Sequence, residues 1–141
     1  MSPKEYLLQI QKLNSKIHQR RQQLSELKAT MYSLKGTDIG EKVQTSAAAD
    51  APFVRILEKY ETVESELSTL VDEFVEKKNL IISQINSMEN TNFLNLLYKR
   101  YVEGKRLNVV AEEMNYSYRH ASRMHGWALV EFGKKFLKDV L

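Results

Sequence analysis

Residues 94–136, LNLLYKRYVEGKRLNVVAEEMNYSYRHASRMHGWALVEFGKKF, decide the fold. Phe93, Leu94, Leu97, Tyr101 and Val102 fall on one helical face, and Glu103-Gly104-Lys105 ends that helix with Gly104 as the turn residue. Leu107, Val110, Ala111 and Met114 then predict a short amphipathic helix, with the small Ala111 where two crossing helices must approach closely. Asn115 is one of the few non-glycine residues that tolerate a left-handed backbone, Tyr116 is placed to plug the core from the turn, and Ser117 can cap the next helix. On that last helix Ala121, Met124, Ala128 and Phe132 recur at three and four residues and should face inward. Leu129 and Phe136 extend this face and Trp127 flanks it. Two short helices and one long one, joined by tight turns, outline a helix-turn-helix with a supporting helix in front.

The positions left facing outward are Tyr118, Arg119, His120, Ser122, Arg123 and, further along, His125. Their hydrogen-bond donors suit base edges and phosphates. Because arginine can grip guanine with two parallel bonds, Arg119 and Arg123 are the foremost candidates for base contact. Lys99, Arg100, Lys105 and Arg106 lie on the preceding helix and turn, where a helix-turn-helix meets the sugar–phosphate backbone. His120 and His125 are five apart, which misses the i, i+4 spacing of a shared metal, so no metal or cofactor is expected. No glycine-rich phosphate loop, H-E-x-x-H or G-x-S-x-G motif occurs, and no enzyme is expected.

The preceding 90 residues predict a long helical hairpin. Ser2 and Pro3 suit a helix start. Tyr6, Ile10, Leu13, Ile17, Arg20, Leu24, Leu27, Met31 and Leu34 then alternate steps of four and three, giving a narrow apolar stripe that Gly36 should end. Residues 36–52 carry glycine, proline and small polar residues without a period and read as a linker. Asp50 and Pro52 mark a second start. From there Phe53, Leu57, Tyr60, Glu64, Leu67, Val71, Phe74, Lys78, Ile81, Ile85 and Met88 repeat the spacing. Two such seams pair most simply as an antiparallel coiled coil, closed within one chain or exchanged between two. The capping residues of Glu89-Asn90-Thr91-Asn92 separate the hairpin from the C-terminal helices, with a new helix near Thr91. The expectation is an all-α chain in two domains, a hairpin over 1–90 and a helix-turn-helix over 91–141.

Charge divides the same way. Residues 1–35, 36–90 and 91–141 carry net +5, −6 and +4, and two of the three histidines lie in the last block. The first two blocks can neutralise each other, leaving the third for a polyanion. The chain has no cysteine, which excludes disulfides and thiolate sites. It has no apolar run long enough for a membrane span and no apolar signal core at MSPKEYLLQIQK, so a cytoplasmic protein without membrane contact is expected.

The segment RYVEGKRLNVVAEEMNYSYRHASRMHGWALVEF resembles region 4 of sigma-70-type factors, through Arg100, Tyr101, Gly104, Ala111, Ser117, Ala128 and Leu129. With its coiled-coil-like first half, the chain is similar to small phage and prophage proteins of the ArpU/RinA late-transcription type, a likeness that also touches Val43-Gln44-Thr45-Ser46. The resemblance implies a sequence-specific regulator in the bacterial host, activating late genes, with a recognition helix over 117–137 in the major groove of double-stranded DNA. It implies that Tyr118, Arg119, Ser122 and Arg123 read bases. Arg106 departs from the usual capping Thr or Ser, Asn115 from a turn glycine, and Gly126 interrupts the recognition helix. The hairpin is expected to serve as a homodimerisation arm or a docking surface. In the alternative reading the protein is an adaptor whose hairpin captures host RNA polymerase or another host protein.

Overall fold

Local capping chemistry sets the first helix. The Ser2 hydroxyl accepts from the Glu5 backbone N–H at 3.1 Å, and the Glu5 carboxylate accepts from the Ser2 N–H at 3.3 Å. This reciprocal capping box, with Pro3 at the first helical position, starts α1 (Pro3–Leu7). The computed structural model describes residues 1–40 and 47–137, with the side chains of 35–40 and 47–50 left aside. All regular structure among these residues is helical, and none of the helices is long and apolar enough to cross a membrane.

Leu8 makes a turn, and α2 (Gln9–Gly40) comes next. The Leu8 N–H to Lys4 carbonyl bond (2.9 Å) and the Lys12 N–H to Leu8 carbonyl bond (3.0 Å) carry the ladder across it. The helix does not end at Gly36. A glycine inside a helix costs about 1 kcal/mol relative to alanine, which a long helix tolerates when no proline comes after it. Nor does the next helix start at Pro52: α3 (Ala47–Asn86) begins on three alanines, the best helix formers, and takes Pro52 inside. Of the linker expected over 36–52, residues 36–40 and 47–52 are helical, and residues 41–46, with the segment Val43–Ser46, lie outside the described residues.

The chain divides into two compact units, residues 14–73, and residues 1–13 together with the chain from Phe74 onward. In the first, Arg20 Nε meets Glu66 Oε2 at 3.0 Å. Lys28, Met31 and Tyr32 share a recess with Phe53 and Leu57, so the two stretches run antiparallel. Ile17 and Val63 are buried. The inward residues of α3 here are Phe53, Ile56, Tyr60, Val63, Leu67, Leu70 and Val71, whereas Leu57 and Glu64 are exposed. The expected seam is thus corrected at alternate positions. A carboxylate at Glu64 would lose its hydration without a partner, and a one-residue change of phase puts Val63 inside instead.

The second unit holds the main core. Leu7 and Ile10, Ile81, Ile85 and Met88 from the end of α3, Leu96 and Leu97, Tyr101, Val110, and Met124, Ala128 and Phe132 form one buried cluster. A division at residue 90 runs through this core. The Tyr6 hydroxyl donates to Gln84 Oε1 at 2.7 Å, joining the two ends of the unit's sequence. Asn90 caps α4 (Thr91–Leu97), its Oδ1 accepting from the N–H groups of Asn92 (3.0 Å) and Phe93 (3.2 Å). Tyr98–Val102 continue as a wider π turn. Gly104, at φ +72°, then reverses the chain into α5 (Leu107–Glu113). After Asn115, at φ 60°, α6 (Tyr118–Phe136) closes the unit. Gly133 lets α1 lie against α6: a Cβ there would stand 2.8 Å from Pro3 Cγ.

Candidate nucleic-acid interface

The turn between α5 and α6 is fixed at every residue. The Tyr116 N–H donates to the Ala111 carbonyl at 2.8 Å and the Asn115 N–H to the Glu112 carbonyl at 3.2 Å. The Ser117 hydroxyl accepts from the His120 N–H at 3.1 Å, capping α6. The Tyr116 ring meets the His120 ring edge-on, centroids 4.7 Å apart. Ala121, Met124, Ala128 and Phe132 are all buried, as the spacing predicts, and orient the helix. This leaves Tyr118, Arg119, His120, Ser122 and Arg123 exposed together on its first two turns. Arg119 and Arg123 are one turn apart on the same face, roughly 5–6 Å between Cβ atoms.

The flanking cations behave differently from one another. Lys99 Nζ and Lys105 Nζ both contact Glu113 Oε1 at 2.8 Å, and Lys105 also reaches Glu103 at 2.9 Å. Hydrogen bonds from Lys105 and then Lys99 hold the Glu113 carboxyl below its ordinary range, and those to Glu113 and Glu103 raise Lys105. Arg100 is half-buried, its guanidinium 5.1 Å from the centre of the Tyr101 ring. Arg106 is exposed at the start of α5.

His125 is not on the outer surface with the others. It is half-buried, with Nε2 2.7 Å from the Tyr101 hydroxyl and the rings stacked at 5.7 Å. Burial first, then the cations of Arg100 and Lys4, push its pKa from 6.5 to about 4. The imidazole is therefore neutral at physiological pH and is a poor phosphate ligand there. Burial likewise raises the Tyr101 phenol, with Arg100 opposing.

The expected base-reading set, Tyr118, Arg119, Ser122 and Arg123, is thus exposed on the first two turns of α6, as is His120. Of the flanking set, Arg106 is exposed beyond that helix, Lys99 and Lys105 share one carboxylate, and Arg100 and His125 turn toward Tyr101. Three features were not anticipated. Glu113 gathers two lysines from across a turn, and no helical spacing announces such a contact. Trp127, expected to flank the inward face, is 55% exposed, and Val130 is 54% exposed. Trp127 lies four residues after Arg123, the signal that placed it outside. Among the described residues no group of three or more His, Cys, Asp or Glu side chains could hold a metal ion. Compared with family models, curated proteins and solved structures, the chain gives no match.

Proposed function

We propose that this chain is a sequence-specific, double-stranded-DNA-binding transcription regulator of phage or prophage type, working without catalysis in the bacterial host cytoplasm and activating late genes. In this reading α4, α5 and α6 form a helix-turn-helix similar to sigma region 4. Residues 117–137 enter the major groove, and α2 with α3 form a coiled-coil hairpin through which two copies pair. One observation carries the DNA reading: Tyr118, Arg119, Ser122 and Arg123 are exposed together on the first turns of a helix locked by its cap and core, and neither arginine has a carboxylate partner among the described residues. The phage origin and the sign of regulation rest on the wider resemblance, which joins the coiled-coil-like first half and Val43-Gln44-Thr45-Ser46 to the region-4-like residues 100–132.

Anisotropy of labelled duplexes from the neighbourhood of the gene, against scrambled duplexes, tests this at low and moderate salt. Sequence-preferring binding that weakens with salt is expected. Each bidentate arginine contact contributes about 1–3 kcal/mol of base discrimination, so Arg119→Ala/Arg123→Ala should erase the preference. Absence of binding by the wild type even at low salt would refute the proposal.

A second reading has its own observation. In the unit of residues 14–73, Tyr32 is 67% and Val54 46% exposed, and Met31, Tyr32, Phe53 and Leu57 line a recess of about 260 Å³. An exposed apolar patch of this kind suits a protein partner. In the adaptor alternative this end of the hairpin docks host RNA polymerase or another host protein, and DNA contact is secondary. Retained regulation in Arg119→Ala/Arg123→Ala, with loss in Tyr32→Ala, would favour it.

A further inference from the structure

We infer that the DNA-contacting face of α6 does not end at Arg123 but continues through Gly126, Trp127, Val130 and Lys134, with Trp127 packed against the sugar–phosphate wall of the groove. This rests on the DNA reading above and deepens it. Arg119, Arg123, Trp127, Val130 and Lys134 succeed one another at steps of four, four, three and four, so they share one face of α6, away from buried Ala121, Met124, Ala128 and Phe132.

Two features of that face have no purpose inside the chain. Trp127 and Val130 leave more than half their surface in water at the middle of a well-packed helix. Gly126 sits in the helix interior, where glycine is less stable than alanine, yet a Cβ there would meet nothing within 4 Å. No neighbour in the fold requires the glycine. What it provides is bare backbone on the outer face, beside an exposed indole.

Charge selects the occupant. Arg119, Arg123 and Lys134 have no carboxylate partner among the described residues, and the one acid of α6, Glu131, lies a residue round from Val130. A surface of cations with apolar side chains between them matches a polyanion with apolar sugar edges. It repels a second copy of itself. Length agrees: eight residues from Arg119 to Trp127 rise about 12 Å, close to the width of the major groove. With Arg119 at the bases, Trp127 stands at the rim, where its indole N–H can donate to a phosphate.

Trp127 is the sole tryptophan, so its emission reports this site alone. The full chain is titrated with unlabelled duplex while emission and acrylamide quenching are followed, and anisotropy of a labelled duplex measures binding independently. The expected result is a blue shift and loss of acrylamide access on binding. Trp127→Ala should weaken duplex binding about fivefold or more without lowering the melting temperature. Gly126→Ala should raise the melting temperature yet weaken binding, two changes of opposite sign that a structural role does not produce. Duplex binding with unchanged quenching and wild-type affinity in both variants overturns the inference and leaves the DNA reading standing. No anisotropy change at low salt removes both. Quenching protection that grows with protein concentration in the absence of DNA would give the face to a second copy and overturn the inference as well.

Discussion

Acidification should weaken the Tyr101–His125 contact before it affects most carboxylates. The folded imidazole takes its proton near pH 4, whereas in the unfolded chain it does so near 6.5. Between those values the unfolded state binds more protons, so stability falls as pH drops from 6.5 toward 4 and is level above 6.5. At full burial that gap corresponds to about 3 kcal/mol. His125 is only half-buried, and solvent screening brings the expected loss to about 1–2 kcal/mol. Glu113, whose carboxyl is held below its ordinary value, acts in the same direction, but only as pH falls below about 4.5, so the two windows separate. The assay is urea unfolding followed by circular dichroism at pH 7, 5.5 and 4.5, for wild type and His125→Gln. Comparing the pH slopes, rather than absolute stabilities, removes the effect of the substitution on packing. The wild type should lose stability across this range and His125→Gln should lose less. Parallel lines, or an NMR titration placing the His125 ring near 6.5, would refute the reasoning.

The packing and the charge clusters set three further outcomes. Gly133→Ala places a methyl against the rigid Pro3 ring and should destabilise by about 1–3 kcal/mol, less the helix preference of alanine. In a Pro3→Ala background it should be neutral or stabilising, and equal effects in both backgrounds would show that the clash is absent. Val63→Ala should lower stability by about 2 kcal/mol while Glu64→Ala stays within about 0.5, a contrast that thermal unfolding of the two variants checks and that reverses if Glu64 faces inward. Glu113→Gln frees Lys99 and leaves Lys105 with Glu103 alone, so duplex binding should tighten at low salt and its salt dependence should steepen by about one counterion, or about two with Glu103→Gln added; an unchanged slope in the double variant would mean the lysines do not reach phosphates.

Five signals decided by a single residue held, whereas Gly36 and Pro52 did not mark helix ends. Ser2, Asn90 and Ser117 cap helices because a short side chain must satisfy a free N–H, and Gly104 and Asn115 turn the chain because few residues tolerate positive φ. The inward face of α6 was equally plain, since its small and large apolar residues keep one period. The seam of α3 was not. Ile56-Leu57 and Leu70-Val71 are apolar doublets that satisfy either phase, and only the pair Val63-Glu64 distinguishes them. Contacts between distant segments left no period at all. That Leu7 and Ile10 complete the core around Tyr101 and Phe132, or that His125 turns to a phenol 24 residues earlier, depends on packing that local spacing does not encode.

Net charge pointed to a polyanion, but the more telling fact is which cations the fold leaves unmatched, and where. Glu113 engages two lysines, and Arg100 and His125 are drawn to Tyr101. Arg119, His120 and Arg123 instead stand on the first two turns of α6, and its first turn holds no acid. That end of a helix already carries about half a positive charge, so acids there stabilise and cations destabilise by about 0.3–1 kcal/mol each. Two other helix ends follow the rule, with Glu5 in the first turn of α1 and Lys134 and Lys135 in the last turn of α6, whereas α5 starts after Arg106 and ends on Glu112 and Glu113. A helix start that breaks it with exposed arginines, while its cap and its buried face are in order, concentrates positive field and free N–H groups at one surface. Stability gains nothing from that arrangement. An incoming anion does.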